Sequence, residues 1–198
     1  MKVININRVD ANTVKFDEVS IDTTENVCFR NLDPLEAHWP TLASNQLGQA
    51  PSANSNQCAL PPGQSKIIYG CKIAGHQNEQ GIIYVYPALA IGAGAPSGKL
   101  ANATKGTPIA EAQVVQGGKP PYTVNRQIFQ VTDGSGNVIQ SGSGVGPGLK
   151  LNNPTTTQGQ TGITVTGAPT YSGTYTFALD VNDSMGRNLQ QQYTMAVT

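Results

Sequence analysis

The stretch that decides the reading of this chain is Gly70-Cys71-Lys72-Ile73-Ala74-Gly75-His76-Gln77-Asn78-Glu79-Gln80-Gly81. A short run from Ser65 to Tyr69 leads into it and another, Gly81 to Tyr86, leads out; both have the Ile/Tyr/Val content of sandwich-interior strands. Between them a thiol, an imidazole and a side-chain carbonyl follow one another as Cys71-x4-His76-x3-Gln80. The turn at Gly75 lets the chain reverse between donors, so a tight loop joining two strands can wrap them around one ion. A soft thiolate with two imidazoles and a weak axial oxygen is the donor set of a trigonal copper site. The second imidazole must come from elsewhere, and His38 is the other histidine of the two in the chain. A Cys and a His in a β-loop are, by themselves, more often a buried thiol and a surface imidazole. The flanking strands and the placement of both histidines argue for the metal.

Composition points the same way. The 198 residues include 22 Gly and 13 Pro, with abundant Thr, Ser, Asn and Gln and almost no long segment of helical period, which predicts an all-β protein. Twelve Lys and Arg balance twelve Asp and Glu, so no basic footprint exists for a phosphate backbone and nucleic-acid binding is not expected. The longest apolar stretches, Ile82 to Val85 and Pro87 to Ile91, are too short to span a bilayer. No charged start followed by an apolar run is present. The reading is an exported protein, periplasmic, cell-surface or extracellular, whose native leader has been removed; a cytoplasmic protein is the alternative.

The Gly/Ala/Ser/Pro-rich segment from 88 to 107 has no periodicity and reads as a linker between a first domain, 1–87, and a second, 108–198. All cysteines and histidines precede it, so the chemistry is confined to the first half. There, Thr13 to Ile21 and Glu25 to Leu32 read as strands turning at Asp22 to Thr24. Asp33 to Gln64 forms a long polar segment of the kind usually kept for function. In the second half, strands are expected at 109–115, 122–131, 137–140, 162–166, 173–181 and 188–197, with turns at Gly117-Gly118 and Asp133-Gly134. Tyr175 and Phe177 alternate with Thr174 and Thr176, the pattern of a half-buried strand.

Three segments of the first half resemble the cupredoxins, the blue-copper domains. Val27-Cys28-Phe29-Arg30-Asn31-Leu32-Asp33 followed by His38 is similar to the strand that precedes the first His ligand. Pro62-Gly63-Gln64-Ser65 is similar to the family's turn before the penultimate strand. Cys71 to His76 with Gly81 to Val85 is similar to the ligand loop and closing strand. The resemblance covers about residues 1–87 and implies a Greek-key sandwich binding one type 1 copper ion through His38, Cys71 and His76. By azurin-like spacing Gln80 falls at the axial position, where the family usually has Met and the stellacyanin-like branch has Gln. Glu79 is a weaker competitor. A harder oxygen donor favours Cu(II) and lowers the reduction potential. Trp39 stands where many members have an Asn that ties the two ligand loops; Asn31 or Asn45 are the substitutes, and Trp39 itself could shield the metal from water. Zinc is the chemical rival, since it accepts the same donors.

With Cys71 on the metal, Cys28 and Cys58 remain as a pair, and a bridge between them would close a loop of about 30 residues. Two buried thiols are the alternative. The second half resembles the Ig-like modules of bacterial surface and secreted proteins. It does so through Ala103-Thr104-Lys105-Gly106-Thr107-Pro108, Gly117-Gly118-Lys119-Pro120-Pro121-Tyr122, Pro147 to Asn152, Gly173 to Phe177 and Asp180 to Ser184. That resemblance implies an Ig-like β-sandwich used for spacing or attachment. Asp180, Asn182 and Asp183 are hard oxygen donors that calcium could use, although a hairpin turn is the commoner explanation of such a cluster.

No paired catalytic carboxylates, nucleophile triad or phosphate-cradling loop is found, so no enzyme activity is expected. The expected function is single-electron transfer to a redox partner the sequence does not identify, with the Ig-like module as spacer. The alternative is a structural or adhesive surface or filament subunit, a homo-oligomer or other assembly, in which the copper domain aids stability. Copper storage is a third option, but only three Met are present.

Overall fold

The computed structural model describes residues 1–41, 65–76, 78–153 and 162–198. The chain is all β. Among the described residues helical structure is confined to a 3-10 turn at Pro96–Gly98. It divides into two compact units, Met1–Pro87 and Ala88–Thr198.

The first unit contains β1 (Lys2–Asp10), β2 (Thr13–Phe16), β3 (Val19–Asp22), β4 (Val27–Asn31), β5 (Pro40–Thr41), β6 (Lys66–Cys71) and β7 (Gln80–Tyr86). They form two sheets, in the orders β2-β1-β4 and β3-β7-β6-β5. The single strand expected over 13–21 is two. β2 pairs with β1, and after Asp17 and Glu18 the chain crosses to the other sheet, where β3 runs parallel to β7. Asp17 pins this crossing: its carboxylate accepts from the side-chain amides of Asn5 (2.9 Å) and Asn7 (3.1 Å). Alternation then fills the core. Ile4, Ile6, Phe16, Ile21, Val27, Phe29, Ile67, Tyr69 and Ile83 are each at most 2% exposed, while their strand neighbours face outward.

Cys28 sits between the buried Val27 and Phe29 and therefore points to the opposite face of its sheet, opposite Val3. It carries a free, half-buried thiol. The bridge expected between Cys28 and Cys58 is not supported; Cys58 itself, like Asn45 and the Pro62-Gly63-Gln64 turn, lies outside the described residues.

The second unit contains β8 (Ala90–Ile91), β9 (Ile109–Gln116), β10 (Thr123–Thr132), β11 (Val138–Ser143), β12 (Leu149–Asn152), β13 (Gly162–Gly167), β14 (Gly173–Asn182) and β15 (Asn188–Val197). Its sheets run β12-β13-β9-β8 and β11-β10-β14-β15 around a core that includes Tyr175, Phe177 and Tyr193. The segment expected to be a linker, 88–107, belongs to this unit. β8 pairs with β9, Lys99 and Ala103 bridge to Thr194 and Val197 of β15, and Ala95 and Leu100 are buried at 0% and 3% exposure. Gly, Ala and Ser there serve close packing. A methyl added at Gly92 or Gly94 would run into the β9 backbone near Gln113.

The candidate calcium donors are already engaged. The Asp183 carboxylate accepts from the backbone N–H groups of Lys119, Met185 and Arg187 and from the Arg187 guanidinium, all at 2.6–3.0 Å. Asp180 accepts from Asn125, Asn188 and Gln190. The cluster is a braced β-hairpin turn.

Candidate metal centre

β5 and β6 bring the two halves of the site together. Pro40 pairs with Cys71 and Thr41 with Gly70, so the residues just before Pro40 lie against the end of β6. The Trp39 N–H donates to Cys71 Sγ at 3.2 Å, and the Lys72 N–H donates to the Trp39 carbonyl at 2.9 Å. After Cys71 the chain makes two successive turns. The His76 N–H reaches the Ile73 carbonyl at 3.1 Å and the Glu79 N–H reaches the His76 carbonyl at 3.0 Å. Gly75 takes φ 91° within the first turn, a backbone conformation that side-chain-bearing residues rarely adopt. The Cys71 N–H then bonds the Glu79 carbonyl at 3.1 Å and closes the loop.

Four side chains converge as a result. One donor atom each from His38, Cys71, His76 and Glu79 lies within 4.8 Å of all the others. His38 Nδ1 is 2.8 Å from Glu79 Oε2 and 3.4 Å from His76 Nδ1; His76 Nδ1 is 3.1 Å from Glu79 Oε2 and 3.7 Å from Cys71 Sγ. Burial pushes the Cys71 thiol above its ordinary value, against the Trp39 and Ile73 N–H groups that pull it down.

Gln80 opens β7 opposite Gly70 and is exposed. In β7 the odd-numbered Gly81, Ile83 and Val85 are buried, so residue 80 has outward parity and residue 79 shares the inward one. Trp39 is half-buried, and its ring lies under Lys72, with Nζ 4.8 Å from the ring centroid. Asn31 does not tie the ligand loops. Its side chain accepts from the Asp33 N–H (2.9 Å) and donates to the Glu36 carbonyl (2.8 Å), bracing the segment that leads to His38.

A layer that the sequence reading missed lies behind the histidines. His38 Nε2 is 2.8 Å from Asp33 Oδ2, and both side chains are fully buried. Asp33 is gripped by Arg8, Nε to Oδ1 at 2.8 Å and Nη2 to Oδ2 at 2.7 Å. The Arg8 hydrogen bond, with the bond from His38, holds the Asp33 carboxyl far below the usual carboxylate range despite its burial. Asp33, Glu36 and His38 would themselves satisfy the spacing of a second cation site, but the Arg8 guanidinium occupies that place.

The donors fit a first-row transition metal. A carboxylate, a thiol and two imidazoles meet at the end of β6, one buried and three half-buried, with the outer nitrogen of His38 held by a carboxylate as in carboxylate–histidine–metal arrangements.

No protein-family model and no curated protein matches the chain. Several solved structures are similar to it. CopC from Methylosinus trichosporium OB3b is 17% identical over 56% of this chain and 91% of that one, with a TM-score of 0.32. Rst D1-D2 is 12% identical over 92% and 95%, with a TM-score of 0.43. The Yersinia pseudotuberculosis adhesin InvE is 12% identical over 97% and 58%, with a TM-score of 0.36. Likeness at this level carries no function across, and the reading below rests on the site. Among the described residues no helix is long and apolar enough to cross a membrane.

Proposed function

We propose that the first unit is a cupredoxin-like domain holding one copper ion between His38, Cys71, His76 and Glu79, and that it serves single-electron transfer rather than catalysis. The observation that supports this is the convergence of those four donors on one point. Copper bound by such a set supplies a one-electron couple. The residues supply the rest: a thiolate that accepts a backbone N–H from Trp39, two imidazoles and a hard carboxylate oxygen. The β5–β6 pairing and the backbone bonds that close the Cys71–Glu79 loop hold the donors near one another, which favours little rearrangement on a change of charge. The second unit is an Ig-like spacer or attachment module, and the whole acts outside the cytoplasm.

The visible spectrum of the oxidised, copper-loaded protein tests this. An intense thiolate-to-copper band is expected, and it is lost in Cys71→Ser. A protein that takes up zinc but shows no such band with copper overturns the electron-transfer reading.

One observation favours a second reading, a surface-assembly subunit. β11 is an edge strand among the described residues, with Val138 55% and Ile139 38% exposed, and edges of this kind pair readily with other strands. Ordered self-assembly that survives Cys71→Ser would favour it.

A further inference from the structure

We propose that Arg8 is a positioning residue of the metal centre, fixing the His38 ligand through the buried Asp33 carboxylate that faces its outer nitrogen, with Glu36 and His76 as a weaker second arm. This rests on the reading that His38 and His76 are ligands.

The geometry has one guanidinium at its middle. Arg8 Nε and Nη2 grip the two oxygens of Asp33 at 2.8 and 2.7 Å, and Nη2 also reaches Glu36 Oε2 at 2.7 Å. Its remaining arm, Nη1, donates to the Ala11 carbonyl at 3.1 Å, which sets the plane of the fork. Each carboxylate then meets one imidazole on the side away from Cys71. Asp33 Oδ2 is 2.8 Å from His38 Nε2, and Glu36 Oε2 is 3.7 Å from His76 Nε2. An ionised carboxylate accepts and cannot donate, so the Asp33 contact calls for a proton on His38 Nε2, while Nδ1 faces Glu79 Oε2 at 2.8 Å, where a bound metal would replace the proton that this second contact calls for. The two contacts are unequal. The His38 arm is fully buried and short, whereas Glu36 is 49% exposed and its contact with His76 is long. The clamp therefore acts chiefly on His38.

Sheet register explains how Arg8 gets there. β1 runs parallel to β4 with Ile4 opposite Phe29 and Ile6 opposite Asn31. Continuing that register two residues along each strand direction brings Arg8 level with Asp33, on the side where Ile4, Ile6, Val27 and Phe29 are buried. The rim of the hydrophobic core is where the ion pair and the site begin.

Arg8→Gln, Arg8→Lys and Glu36→Gln test the clamp with two readouts. The first is the His38 Nε2 proton in the metal-free protein, followed by nitrogen–proton NMR. It is expected to exchange slowly in the parent and in Glu36→Gln, and rapidly in Arg8→Gln. The second is Cu(II) affinity against a competing chelator, expected to fall in Arg8→Gln toward the low end of the about 10–100-fold loss usual when a ligand's outer partner is removed, since Asp33 itself remains. Arg8→Lys keeps the charge and loses the fork, so it should restore neither readout fully. Full restoration by Lys, or an unchanged ring proton in Arg8→Gln, overturns the proposal. Arg8→Lys, which keeps the buried charge, is the variant read if Arg8→Gln fails to fold; Glu36→Gln spares the buried pair, and if it abolishes the His38 ring proton, the assignment to Asp33 and Arg8 is wrong. A parent that binds no copper sinks the electron-transfer reading and the metal-centre role of Arg8 with it; a ring proton lost in Arg8→Gln then shows only that Arg8 holds His38.

Discussion

His38 Nε2 and Asp33 Oδ2 lie 2.8 Å apart, and solvent reaches neither side chain. A carboxylate buried so deeply needs a cation or strong donors around it, and here it has Arg8, the imidazole and the Leu35 N–H. The same contact orients the imidazole, so one buried ion-pair network both closes the end of the core and aims a ligand.

The fourth donor can be distinguished by reduction potential. Glu79→Met replaces a hard oxygen with a soft thioether and should raise the potential of the copper-loaded protein. Gln80→Met, on the outward face of β7, should leave it unchanged. Protein-film voltammetry on both variants checks this, and a rise in Gln80→Met alone would mean that Gln80 is the axial ligand.

Gly81 lies under the core rings that floor the site. A methyl added there would overlap the Tyr69 hydroxyl and approach the Phe16 Cβ to 2.8 Å. Gly81→Ala should destabilise the first unit by about 1–3 kcal/mol, the usual cost of overpacking, read as a shift in the urea midpoint.

The Tyr69 hydroxyl is buried with no hydrogen-bond partner among the described residues, and burial raises its ionisation well above the ordinary range. Removing it relieves an unpaired polar group while keeping the ring contacts with Phe16 and Phe29. Tyr69→Phe is expected to leave stability unchanged or raise it by about 1 kcal/mol. A clear loss on thermal unfolding would show that the hydroxyl is paired.

Acid should unfasten the second unit through Asp183. Burial pushes this carboxyl up, but the Lys119 N–H and the Arg187 bonds outweigh it, and the value is lowered overall. A group lowered in the folded state contributes stability that is fully present above the ordinary Asp value of about 4 and is lost as pH falls through the lowered one. Asp183→Asn should cost about 1–3 kcal/mol near neutral pH and flatten the acid limb of the stability curve relative to the parent. Calorimetry across that range reads both, and parallel curves would exclude Asp183 as the source.

Much of this was legible in the chain itself. Alternating apolar residues named most of the strands of both units. The Gly75 loop announced a thiol and an imidazole close together. Strand parity could have named the fourth donor too: Glu79 shares the inward parity of Gly81, Ile83 and Val85, and Gln80 does not. Ligand spacing taken from a family resemblance had favoured Gln80. The Gly- and Ala-rich segment 88–107 misled for a different reason. Small residues mark flexible linkers and tight packing alike, and only the surroundings of Gly92 and Gly94 tell them apart.

Local periodicity and turn chemistry were enough to determine from sequence an all-β chain, because both act between near neighbours, and the positions of the cysteines and histidines put the candidate metal donors in its first half. Tertiary structure alone decided that Arg8 meets Asp33. That follows from β1 lying parallel to β4. A parallel pair is joined through distant chain, and its register is set by how the two apolar faces fit together, which no local pattern encodes.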